Sequence, residues 1–453
     1  MYQKANMLKS QLYQPYQVDG VKWMLTREIN QRFPGGFLCD EMGLGKTIQT
    51  VATMIYNRLP HTLVVVPTSL VHQWISEIRT HSTLTVSVFD GTTDADVCVT
   101  TYGSFLKKSK MYESIMSIHW NRVVLDEAHD IRNPKSKRFS SILRLNCDIR
   151  WILTGTPVYN SKKDFNTLLR FLANDFFFTE DRKSVILRRT KADLAGFNEN
   201  LRLPPCDFEY LEFERYPEEE EGYTQVFTDF SERIKDAEDN ESAMVILEGF
   251  LRMRQYSIHP QLFHSGVKME PYQGRSRKLE LLHELISSHP EEKTLVFCQF
   301  KQEMTMIGKL VNQKVFRLDG DVDPSSRESL INEFKTHEGG CVFLIQIKTG
   351  GQGLNLQEAT RVYITTPAWN PATELQAIAR SHRNGQKKSV VVRKLVYVSS
   401  SDTPSIEEAI VDLQNHKSTV CSDVLNDPRI NEQLPKMKRK NNMVTIFRKF
   451  FAS

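Results

Sequence analysis

Phe37-Leu38-Cys39-Asp40-Glu41-Met42-Gly43-Leu44-Gly45-Lys46-Thr47-Ile48-Gln49-Thr50-Val51-Ala52 reads as an apolar strand, a glycine-bearing turn and the opening of a helix. Gly43 and Gly45 let backbone N–H groups close around a phosphate at the helix N-terminus. Lys46 is then placed for the β- and γ-phosphates and Thr47 for Mg2+. The general phosphate-loop pattern asks for glycine where this chain has Asp40, so the segment needs a partner elsewhere. Val123-Val124-Leu125-Asp126-Glu127-Ala128-His129 supplies one: an apolar strand delivering two adjacent carboxylates at its C-terminal end. Asp126 suits Mg2+, and Glu127 suits positioning and deprotonating an attacking water, the two tasks of phosphoanhydride hydrolysis.

Around these two segments, short apolar runs alternate with helix-like stretches: Thr62-Leu63-Val64-Val65-Val66, Val97-Cys98-Val99-Thr100, Arg122-Val123-Val124-Leu125 and Trp151-Ile152-Leu153. Continuous apolar strands separated by helices predict an α/β domain with a parallel sheet covered on both faces. The rhythm returns with Thr294-Leu295-Val296-Phe297, Lys314 to Leu318, Val342-Phe343-Leu344-Ile345, Val362-Tyr363-Ile364 and Val390-Val391-Val392, predicting a second α/β domain. Between the two, Pro204-Pro205 breaks the chain and Phe208 to Phe213 alternates like an edge strand. From Tyr223 to Ile258 apolar residues recur at helical spacing, with Val226, Phe227, Phe230 and Ile234, then Met244, Ile246, Leu247, Phe250 and Leu251.

At 453 residues the chain is too long for one core, and 40% hydrophobic with 25% charged residues is ordinary for a folded protein. The net charge of +4 is too small to argue for nucleic acid by itself, so a basic groove would have to come from local clustering. No apolar run approaches the roughly 18 residues of a membrane span, and the start lacks a signal-peptide core, so the expectation is a soluble intracellular protein with no membrane partner. The 7 cysteines are scattered without Cys-x-x-Cys spacing, which predicts free thiols and no zinc. The basic Lys436 to Lys440 and the apolar-basic Val444 to Phe451 suit a nuclear address, a DNA grip or a solvated helix end.

Asp40 to Thr47, Leu125-Asp126-Glu127-Ala128-His129 and Leu153-Thr154-Gly155-Thr156-Pro157, in that order, resemble motifs of the Swi/Snf-type branch of the superfamily-two helicase-like ATPases. The resemblance continues through Thr294 to Phe300, Arg317-Leu318-Asp319-Gly320, Gly350-Gly351-Gln352-Gly353-Leu354-Asn355-Leu356 and Gln376 to Gln386. It implies two RecA-like parallel-sheet lobes in tandem with a helical insertion. Residues 1–203 would form the first ATPase lobe with an N-terminal adenine-recognition segment, 204–274 the insertion or linker, 275–400 the second lobe, and 401–453 a helical brace and basic tail.

The resemblance also implies roles. Gln17 matches the glutamine that reads adenine, and Asp40, Met42, Gly43, Leu44, Gly45, Lys46 and Thr47 match the ATP-binding loop. Gln376, Arg380 and Arg383 match the motif whose arginines reach the γ-phosphate on lobe closure and so join Lys46 and Glu127 in catalysis. Thr154, Gly155 and Thr156 match the segment coupling ATP to lobe movement. Contacts to DNA phosphates would come from Thr68, Ser69, Thr100, Thr101, Lys348 and Thr349, and Trp369 resembles the tryptophan placed against the DNA groove. Two departures stand out: Ala379 replaces the usual acidic residue, and Gln346-Ile347 replaces a small polar residue before Lys348.

The implied activity is ATP-dependent translocation on double-stranded DNA with Mg2+, acting on nucleoprotein or transcription machinery in the nucleus or a cytoplasmic site of DNA metabolism. A strand-separating DNA or RNA helicase and a catalytically silent DNA-binding scaffold remain as alternatives.

Overall fold

The computed structural model describes residues 7–12, 15–29, 31–107, 109–155, 162–172, 184–194, 203–236, 239–350, 354–383, 385–425, 427 and 430. Its contacts divide the chain into two compact units, Met1–Arg202 with Val420–Asp427, and Leu203–Thr419 with Pro428–Ser453. Thr156, Gly351 to Gly353, Asn384 and the basic tail lie outside the described residues.

The first unit contains strands Gly35–Leu38 (β1), Thr62–Val66 (β2), Val86–Val88 (β3), Val97–Thr101 (β4), Trp120–Asp126 (β5), Cys147–Leu153 (β6) and Ile186–Leu187 (β7). They form one parallel sheet in the order β3-β4-β2-β5-β6-β1-β7. All five residues of β2 are buried because the strand is central, with Val64 opposite Val99 on one side and Val124 on the other. Edge strand β3 has no fully buried residue. Helices Tyr16–Ile29 (α1), Lys46–Tyr56 (α2) and Val71–His81 (α3) cover the sheet. Met24, Val51, Met54, Ile55, Trp74 and Ile78 interlock there with Val64, Val66, Val99 and Trp151. A parallel sheet aligns the C-terminal ends of its strands along one edge, and those ends carry the residues expected to act on nucleotide.

The second unit holds Cys206–Phe213 (β8), Thr294–Cys298 (β9), Lys314–Leu318 (β10), Cys341–Gln346 (β11), Arg361–Ile364 (β12) and Val390–Tyr397 (β13). Its parallel order is β10-β11-β9-β12-β13-β8. Central β9 is buried throughout, whereas edge strands β10 and β8 alternate. The alternation read at Phe208 to Phe213 is therefore the edge of this second sheet, with Cys206 to Phe213 paired to Val390 to Tyr397.

Helices Pro217–Asp236 (α4) and Asp239–Ile258 (α5) follow β8. Tyr223, Val226, Phe230, Phe250, Met253 and Tyr256 pack with Tyr397, Ile406 and Ile410. The periodic pattern is wider than this core uses: Met244, Leu247 and Leu251 are exposed. They lie off the face that Phe250 and Met253 turn inward, so their spacing marks a helix without marking burial.

His259 caps the helix Pro260–Gly266 by accepting at Nδ1 from the Gln261 N–H at 3.0 Å. Burial, reinforced by the charge of His264, lowers its pKa from 6.5 to about 4. The unfolded chain then binds the extra proton between those values, so this contribution to stability is complete above pH 6.5 and is lost as pH falls through 4. Over that window, denaturant unfolding should show a loss of about 3 kcal/mol that is absent in His259→Asn. Asparagine keeps a cap acceptor but does not titrate. Parallel pH profiles for the two proteins would contradict the assignment.

Candidate nucleotide site

Strand β1 delivers the chain into the loop at Asp40. Gly43 and Gly45 have φ of 86° and 78°, values in the left-handed region that glycine adopts without strain. No side chain caps the first turn of α2 after Gly45, which leaves its N–H groups for an anion. Leu44 is buried against Tyr16 and Leu194, anchoring the loop from below, while Met42 and Thr47 are half-buried and Gly43 is exposed. Lys46 Nζ donates to the Asp40 carbonyl at 2.8 Å. Buried Gln17 donates through Nε2 to the Leu44 carbonyl at 3.2 Å, and a Cβ on Gly45 would run into that same amide. The adenine-reading candidate thus meets the loop directly.

Asp40 requires a correction. Its carboxylate is buried and paired to Arg189, with Arg189 Nε at 2.9 Å and the Arg189 backbone N–H at 3.1 Å from Oδ1. Asp40 thus presents its carbonyl to Lys46, and its side chain braces the loop from behind without being a phosphate ligand.

Strand β5 ends at Asp126. Trp74 Nε1 donates to its Oδ2 at 2.8 Å, and the Tyr102 hydroxyl donates to its carbonyl at 2.8 Å. Burial, then the neighbouring charge of Glu127, push the Asp126 carboxyl up to about 7, opposed in part by Trp74 and Lys46. A divalent cation here would counter the neighbouring charge, and the buried Asp126 carboxylate is the hard oxygen donor that Mg2+ takes. Glu127 sits at φ 49°, a left-handed conformation unusual for a residue with a Cβ, and its N–H donates to Leu153 at 3.0 Å.

At the end of β6, buried Thr154 donates its N–H to the Leu38 carbonyl at 3.2 Å. A Cβ on Gly155 would lie 3.3 Å from Met42 Cγ and 3.8 Å from Lys46 Nζ. Of the expected coupling residues, these two therefore lie beside the loop.

Reasoning from sequence missed the residues that follow β7. Arg188 Nη1 donates to the carbonyls of Cys39 and Gly155, both at 3.2 Å, while its Nε meets Asp427 at 3.0 Å. Lys191 donates its backbone N–H to Glu41 at 2.9 Å, and its ammonium passes beside Gly43. The available signal was Arg188-Arg189-Thr190-Lys191, a basic run directly after the apolar Ile186-Leu187.

In the second unit, Arg380 Nε donates to the Gln376 carbonyl at 3.1 Å. Arg380 and Arg383 both direct Nη1 at the Leu354 carbonyl, at 3.5 and 3.3 Å, and both are half-buried with Gln376. The expected DNA-contacting residues divide. Thr68 and Ser69, just after β2, and Lys348, just after β11, are exposed, and Thr101 and Thr349 are half-buried. Thr100 is buried with its hydroxyl donating to Ser104 at 2.9 Å, which takes it out of the set of surface donors. Trp369 is half-buried, 5.9 Å from the Phe250 ring and beneath the Arg254 guanidinium at 5.3 Å. Part of its ring therefore packs in the helical core.

Residues 16–182 match the SNF2-related domain, and residues 277–385 match the helicase conserved C-terminal domain. The human SWI/SNF-related matrix-associated actin-dependent regulator of chromatin subfamily A member 1 is 29% identical over 96% of this chain, which spans 45% of that protein's length. The probable global transactivator of Orgyia pseudotsugata multicapsid polyhedrosis virus is 30% identical over 92% of both proteins. The solved Sulfolobus solfataricus SWI2/SNF2 ATPase core in complex with dsDNA is 28% identical, covering 94% of this chain and 96% of its own, with a TM-score of 0.41. The chain belongs to the Snf2-type family of helicase-superfamily-two ATPases, the family its motifs resemble.

Proposed function

We propose that this chain hydrolyses ATP to move along double-stranded DNA and remodel or displace the proteins bound there. The observation that carries the reading is the convergence, along one edge of the first sheet, of the Gly43 to Lys46 loop, Asp126 with Glu127, and Gly155. Backbone N–H groups of the loop and Lys46 hold the phosphates, and Glu127 takes the proton of the attacking water. Mg2+ bound at Thr47 and Asp126 would neutralise phosphate charge. Trp74 fixes the Asp126 carboxylate in place.

A duplex-DNA track suits a chain whose relatives include a regulator of chromatin and a probable global transactivator. The exposed donors Thr68, Ser69 and Lys348 have the chemistry for backbone phosphates. A nuclear or viral site of DNA metabolism is the setting those relatives suggest.

Phosphate release measured without nucleic acid, and with duplex DNA, single-stranded DNA or RNA, tests the reading. Duplex DNA should stimulate most. Stronger stimulation by RNA or single strands would move the assignment to a strand-separating or RNA-directed enzyme, and absence of turnover under every condition would leave a DNA-binding scaffold.

A further inference from the structure

We infer that Arg189 is a specificity-determining residue: it positions the α1 helix start so that Gln17 can select adenine over guanine nucleotides. The inference rests on the reading of this site as the ATP site.

Arg189 joins three segments that sequence keeps far apart. Its Nε and Nη2 grip the buried Asp40 carboxylate behind the phosphate loop. Nη2 also donates to Gln49 Oε1 in α2 at 2.7 Å. Nη1 donates to the Tyr16 carbonyl at the start of α1, and the guanidinium carbon lies 5.5 Å from the Tyr16 ring centroid. Gln49 extends the same network, donating to Asp40 at 3.1 Å and to the Gly45 carbonyl at 3.3 Å.

The next turn of α1 is seated equally closely. At Gly20 a Cβ would collide with Gln49 Oε1 and lie 2.7 Å from Arg189 Nη2. Helix α1 therefore rests directly on the Arg189–Gln49 pair, and its position relative to the phosphate loop is fixed by it. Gln17 is the next residue after the carbonyl that Arg189 holds, and its Nε2 bonds both the Tyr16 hydroxyl and the Leu44 carbonyl at 3.2 Å.

Position matters because a glutamine amide carries one donor end and one acceptor end. Held in one orientation, with its N–H groups donated to Tyr16 and Leu44, it directs its acceptor oxygen at the amino group on an adenine edge. Guanine offers a carbonyl where adenine offers the amino group, so the fixed amide meets it with like against like. An amide free to shift or turn over can satisfy either base. Lysine cannot replace Arg189 in this task, because one ammonium lacks the planar fork that reaches Asp40, Gln49 and the Tyr16 carbonyl together.

The test compares the full-length wild type with Arg189→Lys, Gly20→Ala and Gln17→Ala. It measures binding of fluorescent ADP and GDP analogues, kcat/KM for ATP and GTP, and thermal melting. The wild type should prefer adenine, and Arg189→Lys should lower the ADP-to-GDP affinity ratio about tenfold or more, toward the Gln17→Ala value. Gly20→Ala, which pushes a methyl group into the same pair, should do likewise and decides the matter if Arg189→Lys does not fold.

Equal weakening of ADP and GDP, with the ratio preserved, would show Arg189 to be a fold brace only and would overturn the inference. So would a wild type that binds both bases equally, which leaves the ATPase reading standing. A wild type that binds neither nucleotide and releases no phosphate would bring down the site reading itself.

Discussion

Glu127→Gln is expected to bind ATP about as tightly as the wild type and to release phosphate about 10²- to 10⁴-fold more slowly, the range for loss of a general base. The substitution keeps the size and shape of the side chain and removes the atom that accepts a proton. It also removes the charge that, after burial, does most to raise the Asp126 pKa, so the Asp126 carboxyl should be easier to ionise in the variant. Binding should therefore survive while chemistry fails.

The backbone at this residue gives a second readout. Its φ of 49° is strained for glutamate, and asparagine tolerates the left-handed region better. Glu127→Asn should match Glu127→Gln in lost activity while melting at equal or higher temperature, with up to about 1 kcal/mol of strain relieved. Fluorescent-nucleotide binding, phosphate release and thermal melts separate these effects. Turnover by Glu127→Gln within threefold of wild type would remove Glu127 from the role of base.

The parts of this architecture that were legible in the sequence are those written locally. The four consecutive apolar residues Leu63 to Val66 and Leu295 to Cys298 read as strands of covered sheets, and both lie in buried interior strands. Gly43 and Gly45 foretell the positive φ values that the loop uses. What could not be read depends on pairing between distant segments. Strand β7 is two residues long, and only its register with Phe37 and Leu38 brings Arg188, Arg189 and Lys191 to the phosphate loop.

The departure at Asp40 becomes intelligible by the same route. A carboxylate in place of glycine would crowd and repel phosphate, yet Arg189 turns it inward and neutralises it. Thr100 fails as a surface donor for a similarly long-range reason, since burial among neighbouring strands leaves Ser104 as the partner of its hydroxyl. The exposed Met244 and Leu247 show the converse: helical periodicity can be correct when the inferred burial is not.

The largest stability effect is expected at Glu28, near the end of the helix that begins with Tyr16 and Gln17. Glu28 and Arg122 are both almost fully buried and form a bidentate pair, with Nε and Nη2 each 2.6 Å from a carboxylate oxygen. The remaining valences are met by Trp151 Nε1 at 2.9 Å and Asn57 Nδ2 at 2.7 Å to the carboxylate, and by the Asn57 carbonyl at 2.8 Å from Arg122. Glu28→Ala would leave the Arg122 guanidinium buried without its counter-charge, at a cost of about 3–5 kcal/mol to the first unit. Replacing both partners, as Glu28→Met with Arg122→Met, should cost much less, because no orphaned charge then remains. Denaturant unfolding followed by tryptophan fluorescence reports the site directly, since Trp151 touches Glu28 and lies 5.6 Å from Trp23 on the same helix. A single substitution that costs less than 1 kcal/mol would show that water or a rearranged neighbour satisfies Arg122. A double variant as unstable as the single would show instead that the pair itself, with its bonds to Trp151 and Asn57, fastens α1 to the sheet.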